Sequence, residues 1–303
     1  MSEREARAGL GYAVFAYAFW GVVPAYVQLM RGIEGFELIG WRMLSSVVVA
    51  LALVALTRGF GRIMSVLRDR RAFGWLVLAS ITILANWTGF VVGILADRVL
   101  ETSLGYFLNP IVSVVLAVVF LGERLRPLQW AAVALGALGI VVMIVGYGEV
   151  PWIALILATS FGLYGLMKKR AGSQVDALSG FTIETVVALP FALGMMAIAM
   201  ALHGVTLGAN GATGIWATAG FGLVTAIPLL AFAAAARRIS LTALAFTQYL
   251  APMISFLFGA FVMHEPMPLE RWIGFGLVWG SLVLVSIDLL GRMRRPRPIP
   301  PAA

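Results

Sequence analysis

Runs of about 20 apolar residues, separated by short polar breaks, follow one another along almost the whole chain. Each is long enough to cross a hydrocarbon core of about 30 Å as a helix. The pattern predicts ten such helices, over 9–30, 36–57, 73–95, 100–121, 127–147, 151–168, 179–202, 213–236, 240–263 and 269–290. The connections are too short for a folded domain outside the membrane, and the Pro-rich end from Arg294 to Ala303 reads as a disordered tail.

The polar punctuation repeats. Pro110, Glu123 and Trp130 recur as Pro252, Glu265 and Trp272, each displaced by 142 positions, and the same displacement carries Arg42 onto Glu184. Five predicted helices per copy is an odd number, so the second copy enters the bilayer from the opposite side. The fold class expected is all-α integral membrane, ten transmembrane helices arranged as two inverted five-helix repeats. The first repeat covers 1–148 and the second 149–291, with a cytoplasmic tail over 292–303. Inverted repeats of this kind are a recurrent design of secondary transporters, with the substrate site where the halves meet.

Composition agrees with the bilayer and removes other classes. Hydrophobic residues make up 61% of the chain and charged residues only 12%, far outside the range of soluble domains. The net charge of +8 does not point to nucleic acid, because the basic residues sit in short loops beside the spans. Arg4 and Arg7, Arg58 to Arg71, Arg124 and Arg126, Lys168 to Arg170, Arg237 and Arg238, and Arg292 to Arg297 all fall on one side. Only Arg31, Arg98 and Arg271 fall on the other. Basic loops stay in the cytoplasm, so both termini are expected there and the protein in the cytoplasmic, or inner, membrane. Met1 to Ala8 leads into an uncleaved first span rather than a signal peptide. There is no cysteine, which excludes disulfides and thiolate chemistry, and His203 and His264 lack metal-ligand spacing. No Walker-type loop or dinucleotide fingerprint occurs, so neither a cofactor nor ATP-driven transport is expected.

Several segments resemble one family. They are Ser103 to Pro110 (SLGYFLNP), Gly122 to Trp130 (GERLRPLQW), Ser160 to Lys168 (SFGLYGLMK) and Gln248 to Pro252 (QYLAP), with Glu37, Arg42 and the pair Asn86 and Trp87. In this order they are similar to the RarD, or chloramphenicol-sensitive protein, group of the EamA-type drug/metabolite transporters. Trp41, where that pattern has His, and the run Val91 to Leu95 depart from it. The resemblance implies an inner-membrane permease of two inverted bundles with export activity.

Candidate working residues are the polar groups inside spans. Arg42 and Glu184 come first, because an intramembrane charge costs about 2.5–3.5 kcal/mol and marks a functional site or a buried pair. An in-plane axis sends each position to mirrored depth, so the two are placed to meet. They then hold a polar or zwitterionic ligand, couple to protons through Glu184, or form a static salt bridge. Glu37, near the end of its span, reads as an interfacial or gate residue, and Asp288 is assigned no role. Asn86, Asn109 and Gln248 can both donate and accept toward a neutral ligand, or glue helices together. Pro110 and Pro252 break the helical ladder beside the last two. Trp87, Tyr106, Tyr164 and Tyr249 can stack on a planar or cationic substrate or anchor their spans. Gly136, Gly139, Gly274, Gly276 and Gly280 serve close helix packing or a homodimer interface.

These features point to a secondary transporter of a small organic metabolite or drug, working by alternating access among membrane lipids and driven by a proton gradient, with protons as the coupling ion, or by the substrate's own gradient. The competing readings are an intramembrane lipid-processing enzyme, for which a convergent catalytic constellation is missing, and a lipid scramblase or scaffold.

Overall fold

The structure, a computed structural model, describes residues 3–121, 127–172, 175–236, 238–239 and 247–293. Glu123, the first part of the ninth expected span at 240–246, and the tail from Arg294 lie outside the described residues. The described chain is helical throughout: α1 (Glu3–Gln28), α2 (Gly35–Leu56), α3 (Phe60–Arg68), α4 (Arg70–Leu95), α5 (Val99–Leu121), α6 (Pro127–Tyr147), α7 (Trp152–Ala171), α8 (Ala177–His203), α9 (Gly211–Ala236), α10 (Leu250–Leu257) continuing into a π-helical turn (Phe258–Val262), and α11 (Leu269–Met293). Six of these contain apolar stretches long enough to cross a bilayer, namely Arg7–Gln28, Gly35–Leu56, Arg70–Leu95, Pro127–Val145, Ala177–His203 and Gly211–Phe232; Trp152–Lys168 and Leu250–Val262 are shorter apolar helices. The chain is a multi-pass membrane protein.

One element departs from the expected pattern. The Arg-rich stretch after α2 forms the amphipathic helix α3 rather than a loop. Its Val66 is buried with Ala72, Leu76, Ala171 and Ile183, and Ile63 packs beside them. Asp69 then caps α4 by accepting the amides of Arg71 at 3.0 Å and Ala72 at 3.1 Å.

Helix packing in lipid rests on close contact of small residues rather than on the hydrophobic effect. α2 runs antiparallel to α8, and Gly40 gives room to Met196: a Cβ there would lie 2.4 Å from its sulfur. α2 meets α9 backbone to backbone, since a Cβ on Gly222 would lie 2.3 Å from the carbonyl oxygen of Ser45. α6 packs along α11 in the same way, with Gly139 against the Gly274 carbonyl and Gly136 against Ile111 and Ser281. The glycines expected to serve either packing or a homodimer are therefore spent inside the chain, Gly276 alone facing open space. The remaining principal contacts join α4 to α7, α5 to α7, α1 to α9, α1 to α10, α4 to α8 and α5 to α10.

At one end of the bundle three carboxylates fasten backbone ends. Glu265 accepts the amides of Val99 and Leu100 at the start of α5, and Glu101 accepts the amide of Ile153 at the start of α7. Glu37, fully buried, accepts the amides of Thr206 and Leu207 and the indole N–H of Trp41. These amides have no partner within their own helix or turn, so each carboxylate supplies an otherwise missing acceptor. Glu37 is thus a staple between α2 and the segment before α9, rather than a group standing free at a gate.

Candidate functional site

Arg42 sits seven residues into α2 and is only 6% exposed. Its guanidinium carbon lies 4.6 Å from the ring centre of Trp87 on α4 and 4.8 Å from that of Phe221 on α9. Desolvated cation–π contacts contribute about 2 kcal/mol or more, which offsets much of the cost of placing the charge in hydrocarbon. They leave donors open: Nε and Nη1 are buried and have no hydrogen-bond partner among the described residues.

Glu184 sits seven residues into α8 and is solved differently. Its Oε1 accepts from Lys168 Nζ at 2.7 Å and its Oε2 from the Tyr164 hydroxyl at 3.0 Å, both donors on α7. Lys168 reaches it because Gly180, one turn earlier on α8, has no side chain; a Cβ there would lie 2.5 Å from Nζ.

The expected meeting of Arg42 with Glu184 does not occur, and helix register explains why. With Gly40 beside Met196 in an antiparallel pair, Arg42 is level with about residue 194 of α8. Glu184 is some ten residues farther along, or about 15 Å at 1.5 Å per residue. Both charges lie in the first third of their helices, and because α2 and α8 run antiparallel those thirds lie toward opposite ends of the pair. Lys168 is the partner that sequence reasoning missed: it reads as one of the basic residues marking a loop, and a long stem lets such a residue turn inward as easily as outward. The spacing of Tyr164 and Lys168, four residues apart on one helix face, was the available signal.

Next to Arg42, Asn86 ties three helices together. Its amide donates to the Leu157 carbonyl at 3.0 Å and to Ser160 Oγ at 3.1 Å on α7, while its oxygen accepts from the Tyr106 hydroxyl of α5 at 3.2 Å. Rings of Phe90, Tyr106, Phe161 and Tyr164 follow one another at 5.9 to 6.3 Å, a continuous aromatic run from this network to the Glu184 cluster. Asn109 contributes a buried oxygen without a partner. Gln248 instead bonds its neighbour Tyr249, both are half-buried at the start of α10, and Tyr249 packs against the cluster of Leu104, Phe107 and Phe256.

The two prolines act unequally. α5 stays helical through Pro110, whereas the chain makes a turn at Gln248 and Tyr249 before α10 begins. Pro252 cannot donate to the Gln248 carbonyl, so it marks this break and occupies the first turn of α10. Its own carbonyl accepts from Ser103 of α5 at 2.7 Å.

Most hydroxyls in these helices bond back to a carbonyl three or four residues earlier, as Ser80, Thr82, Thr182, Thr185 and Thr225 do. Ser46 and Thr218 are buried and do not. Ser46 is one turn from Arg42, and Thr218 one turn from Phe221. Arg42, Ser46, Thr218 and Asn109 thus supply open hydrogen-bonding capacity inside the bundle. A larger cleft of about 390 Å³ between α1 and α9, lined by Phe15, Phe19, Val22 and Tyr26 among others, is a different feature. Phe15 and Val22 lie on the exposed face of the bundle and the lining is apolar, which suits a lipid-facing groove. Among the described residues there is no group of three or more His, Cys, Asp or Glu placed to hold a metal ion.

Comparison with known proteins fits this arrangement. The EamA-like transporter family matches the chain twice, over residues 7–145 and 150–287. "Protein RarD" of Streptomyces exfoliatus is 43% identical over 297 residues, covering 98% of this chain and 93% of that protein. An "Uncharacterized transporter" of Vibrio cholerae serotype O1 is 37% identical over 94% of each chain. A solved crystal structure 18% identical in sequence superposes with a TM-score of 0.60 over 97% of this chain and 100% of that one, a likeness of fold. Apolar helices, buried polar groups between them and full-length relatives that are transporters converge: the chain belongs to the EamA-like transporter family, as a RarD-type membrane transporter.

Proposed function

We propose that the protein is a secondary transporter of a small organic molecule across the cytoplasmic membrane, working in the export direction by alternating access between two inverted five-helix repeats. The repeats are 1–148 and 149–291, and both termini are cytoplasmic. The observation that carries this reading is the set of helix contacts. Exchanging α1 with α7, α2 with α8, α4 with α9, α5 with α10 and α6 with α11 carries the principal contacts onto one another: the α4 contact with α7 becomes that of α9 with α1, and the α2 contact with α9 becomes that of α8 with α4, while the smaller contacts of α5 with α6 and α11 have no such counterpart among the described residues. A pseudo-two-fold lying in the membrane plane has this signature, and rocking of one repeat against the other is the motion such folds use. The charge pattern supports the orientation, since Arg62 and Asp176 lie at the basic end, and Glu37, Glu101 and Glu265 at the other.

In this reading the polar groups around Arg42, Asn86 and Tyr106 bind substrate, and the Glu184 cluster couples to protons. Protonation of Glu184 releases Lys168, which changes how α7 holds α8. The absence of cysteine makes the test direct, because a single introduced thiol has no background. Thr218→Cys in membrane vesicles of either orientation should react with an impermeant maleimide from both faces. Reaction from one face alone refutes alternating access. Proteoliposomes in which no member of a broad metabolite and drug panel crosses faster than in empty vesicles refute transport by this chain.

A further inference from the structure

We infer that Arg42 is the anchor for a carboxylate, so that the transported molecule is a small organic acid bearing one negative charge at the bound end. The inference rests on the transport reading above and names its substrate class.

Arg42 is the only one of the 22 Lys and Arg residues that lies well inside a predicted span. It is more than nine-tenths buried, it lies over the rings of Trp87 and Phe221, and its Nε and Nη1 have no hydrogen-bond partner among the described residues. Glu37 and Glu184, the carboxylates on its own helix and on the helix packed against it, are both occupied. Glu37, five residues earlier, is taken by the amides of Thr206 and Leu207 and by Trp41. Glu184 is out of register and taken by Lys168 and Tyr164. A guanidinium held against two aromatic rings with donors still open is pre-organised for a planar anion, because its N–H groups match the two oxygens of a carboxylate. One cation balances one negative charge, which favours a monocarboxylate over a phosphate dianion. Ser46 on the same stripe of α2 and Thr218 on the same stripe of α9 add hydroxyls that have forgone their usual backbone bonds.

The same facts give a signature that a purely structural arginine would not. If Arg42 serves the fold through its aromatic contacts, Arg42→Met lowers the melting temperature of the unliganded protein. If it is an anchor awaiting an anion, the substitution removes an uncompensated buried charge while keeping the packed stem, and the unliganded protein melts at the same temperature or higher.

The experiment uses the full-length protein in detergent, followed by tryptophan fluorescence, with a panel of aliphatic and aromatic monocarboxylic acids, benzoate and indole-3-acetate among them. Each acid is tested against its primary amide, and short-chain phosphatidylglycerol is a separate arm because a lipid phosphodiester is also a monoanion. At a hundredfold excess over Kd a binding acid should raise the melting temperature by about 5 °C. Its amide should do nothing, Arg42→Lys should respond more weakly than wild type, and Arg42→Met should not respond. Equal shifts by acid and amide, no shift by any acid, or a shift by phosphatidylglycerol alone each overturn the inference. So does a lower unliganded melting temperature in Arg42→Met. Counterflow in proteoliposomes separates this outcome from failure of the transport reading. Acids that bind but do not exchange leave the anion site standing and refute transport, whereas exchange of neutral solutes only refutes the anion site and leaves transport standing.

Discussion

Removing the Glu265 carboxylate should loosen the start of α5 by an amount that can be worked out. Val99 and Leu100, exposed to 0% and 1%, present first-turn amides that no residue of α5 can accept, and Glu265 accepts both. In Glu265→Ala these donors stay buried without a partner, at about 1–3 kcal/mol each, or about 2–6 kcal/mol together. At this chain length a kilocalorie is worth about 2 °C, so the melting temperature should fall by about 4–12 °C. Glu265→Gln separates acceptor from charge. Burial pushes the Glu265 carboxyl above the usual glutamate range, the Leu100 and Val99 amides and Arg271 only partly opposing it. A neutral carbonyl therefore keeps an acceptor without the cost of burying a charge, and Gln should melt within about 2 °C of wild type at neutral pH. Because the folded pKa lies above the unfolded one, the native state takes up the proton first as pH falls. Wild-type stability should then rise as pH drops through the folded pKa toward about 4.3, the ordinary glutamate value, and the Glu265→Gln protein should lack that rise. Tryptophan fluorescence reads the transition, the chain having nine tryptophans and no cysteine for a thiol dye. An alanine variant melting within 1 °C of wild type, or a glutamine variant falling as far as alanine, refutes the capping account.

Further outcomes follow from single contacts. Gly180→Ala should fold, because the atom in its way is the mobile end of Lys168, yet it should break the bond to Glu184; proton-driven accumulation in proteoliposomes should fall, and the melting temperature should drop by about 2–6 °C, the cost of one stranded buried acceptor. Gly222→Ala meets the Ser45 backbone instead, which cannot swing aside, and should cost several degrees of melting temperature or prevent recovery of folded protein. Glu184→Gln should abolish accumulation driven by a pH gradient but spare counterflow; equal loss of both refutes its coupling role. Asp176 caps α8, and although its burial works upward, bonds from Ser179, the charge of Arg62 and the Leu178 amide bring its carboxyl below the usual range. Its stabilisation should be present above about pH 3.9 and be lost as pH falls through the lower folded pKa, and Asp176→Ala, losing about 1 kcal/mol, should flatten that limb of a pH–stability curve.

Apolar runs of bilayer length are a one-dimensional property, so the all-helical class and the six helices long and apolar enough to cross a bilayer among the described residues were legible from hydropathy alone, and the 142-residue echo needed only a count. What stayed hidden depends on relations between helices. α3 escaped because its Phe60, Ile63, Met64 and Leu67 are interleaved with Gly and Arg in a segment that charge alone assigns to a loop. The register of α2 against α8 is set by Gly40 and Met196, and no count along the chain discloses that this places Arg42 and Glu184 some 15 Å apart. Glu265 was visible as half of a repeated Glu, but its acceptors' partners lie about 165 residues away at the start of another helix. Asn86 and Tyr106 were singled out as polar and aromatic residues within spans, and the structure joins them, though by a bond that spacing did not foretell.

The duplicated place carries more information as an asymmetry than as a match. The same displacement that takes Arg42 to Glu184 takes Tyr26 to Lys168 and Val22 to Tyr164. In the second half, α7 therefore brings both a cation and a hydroxyl to its charge. In the first half, α1 brings a valine and a tyrosine, and that tyrosine's hydroxyl donates to the Ala217 carbonyl of α9. Neither supplies an anion for Arg42. Two copies of one ancestral arrangement have settled their buried charges in opposite ways, one closed by the protein and one left open between aromatic rings. Restoring symmetry is then a direct perturbation. Tyr26→Glu places a carboxylate where the second half places Lys168, beside the Phe221 ring that Arg42 also meets, and if it reaches Arg42 it should raise the melting temperature, abolish the response to added acids and block exchange. A variant whose carboxylate pairs with Arg42 while acid exchange continues would show that the open guanidinium is not what the transported molecule meets.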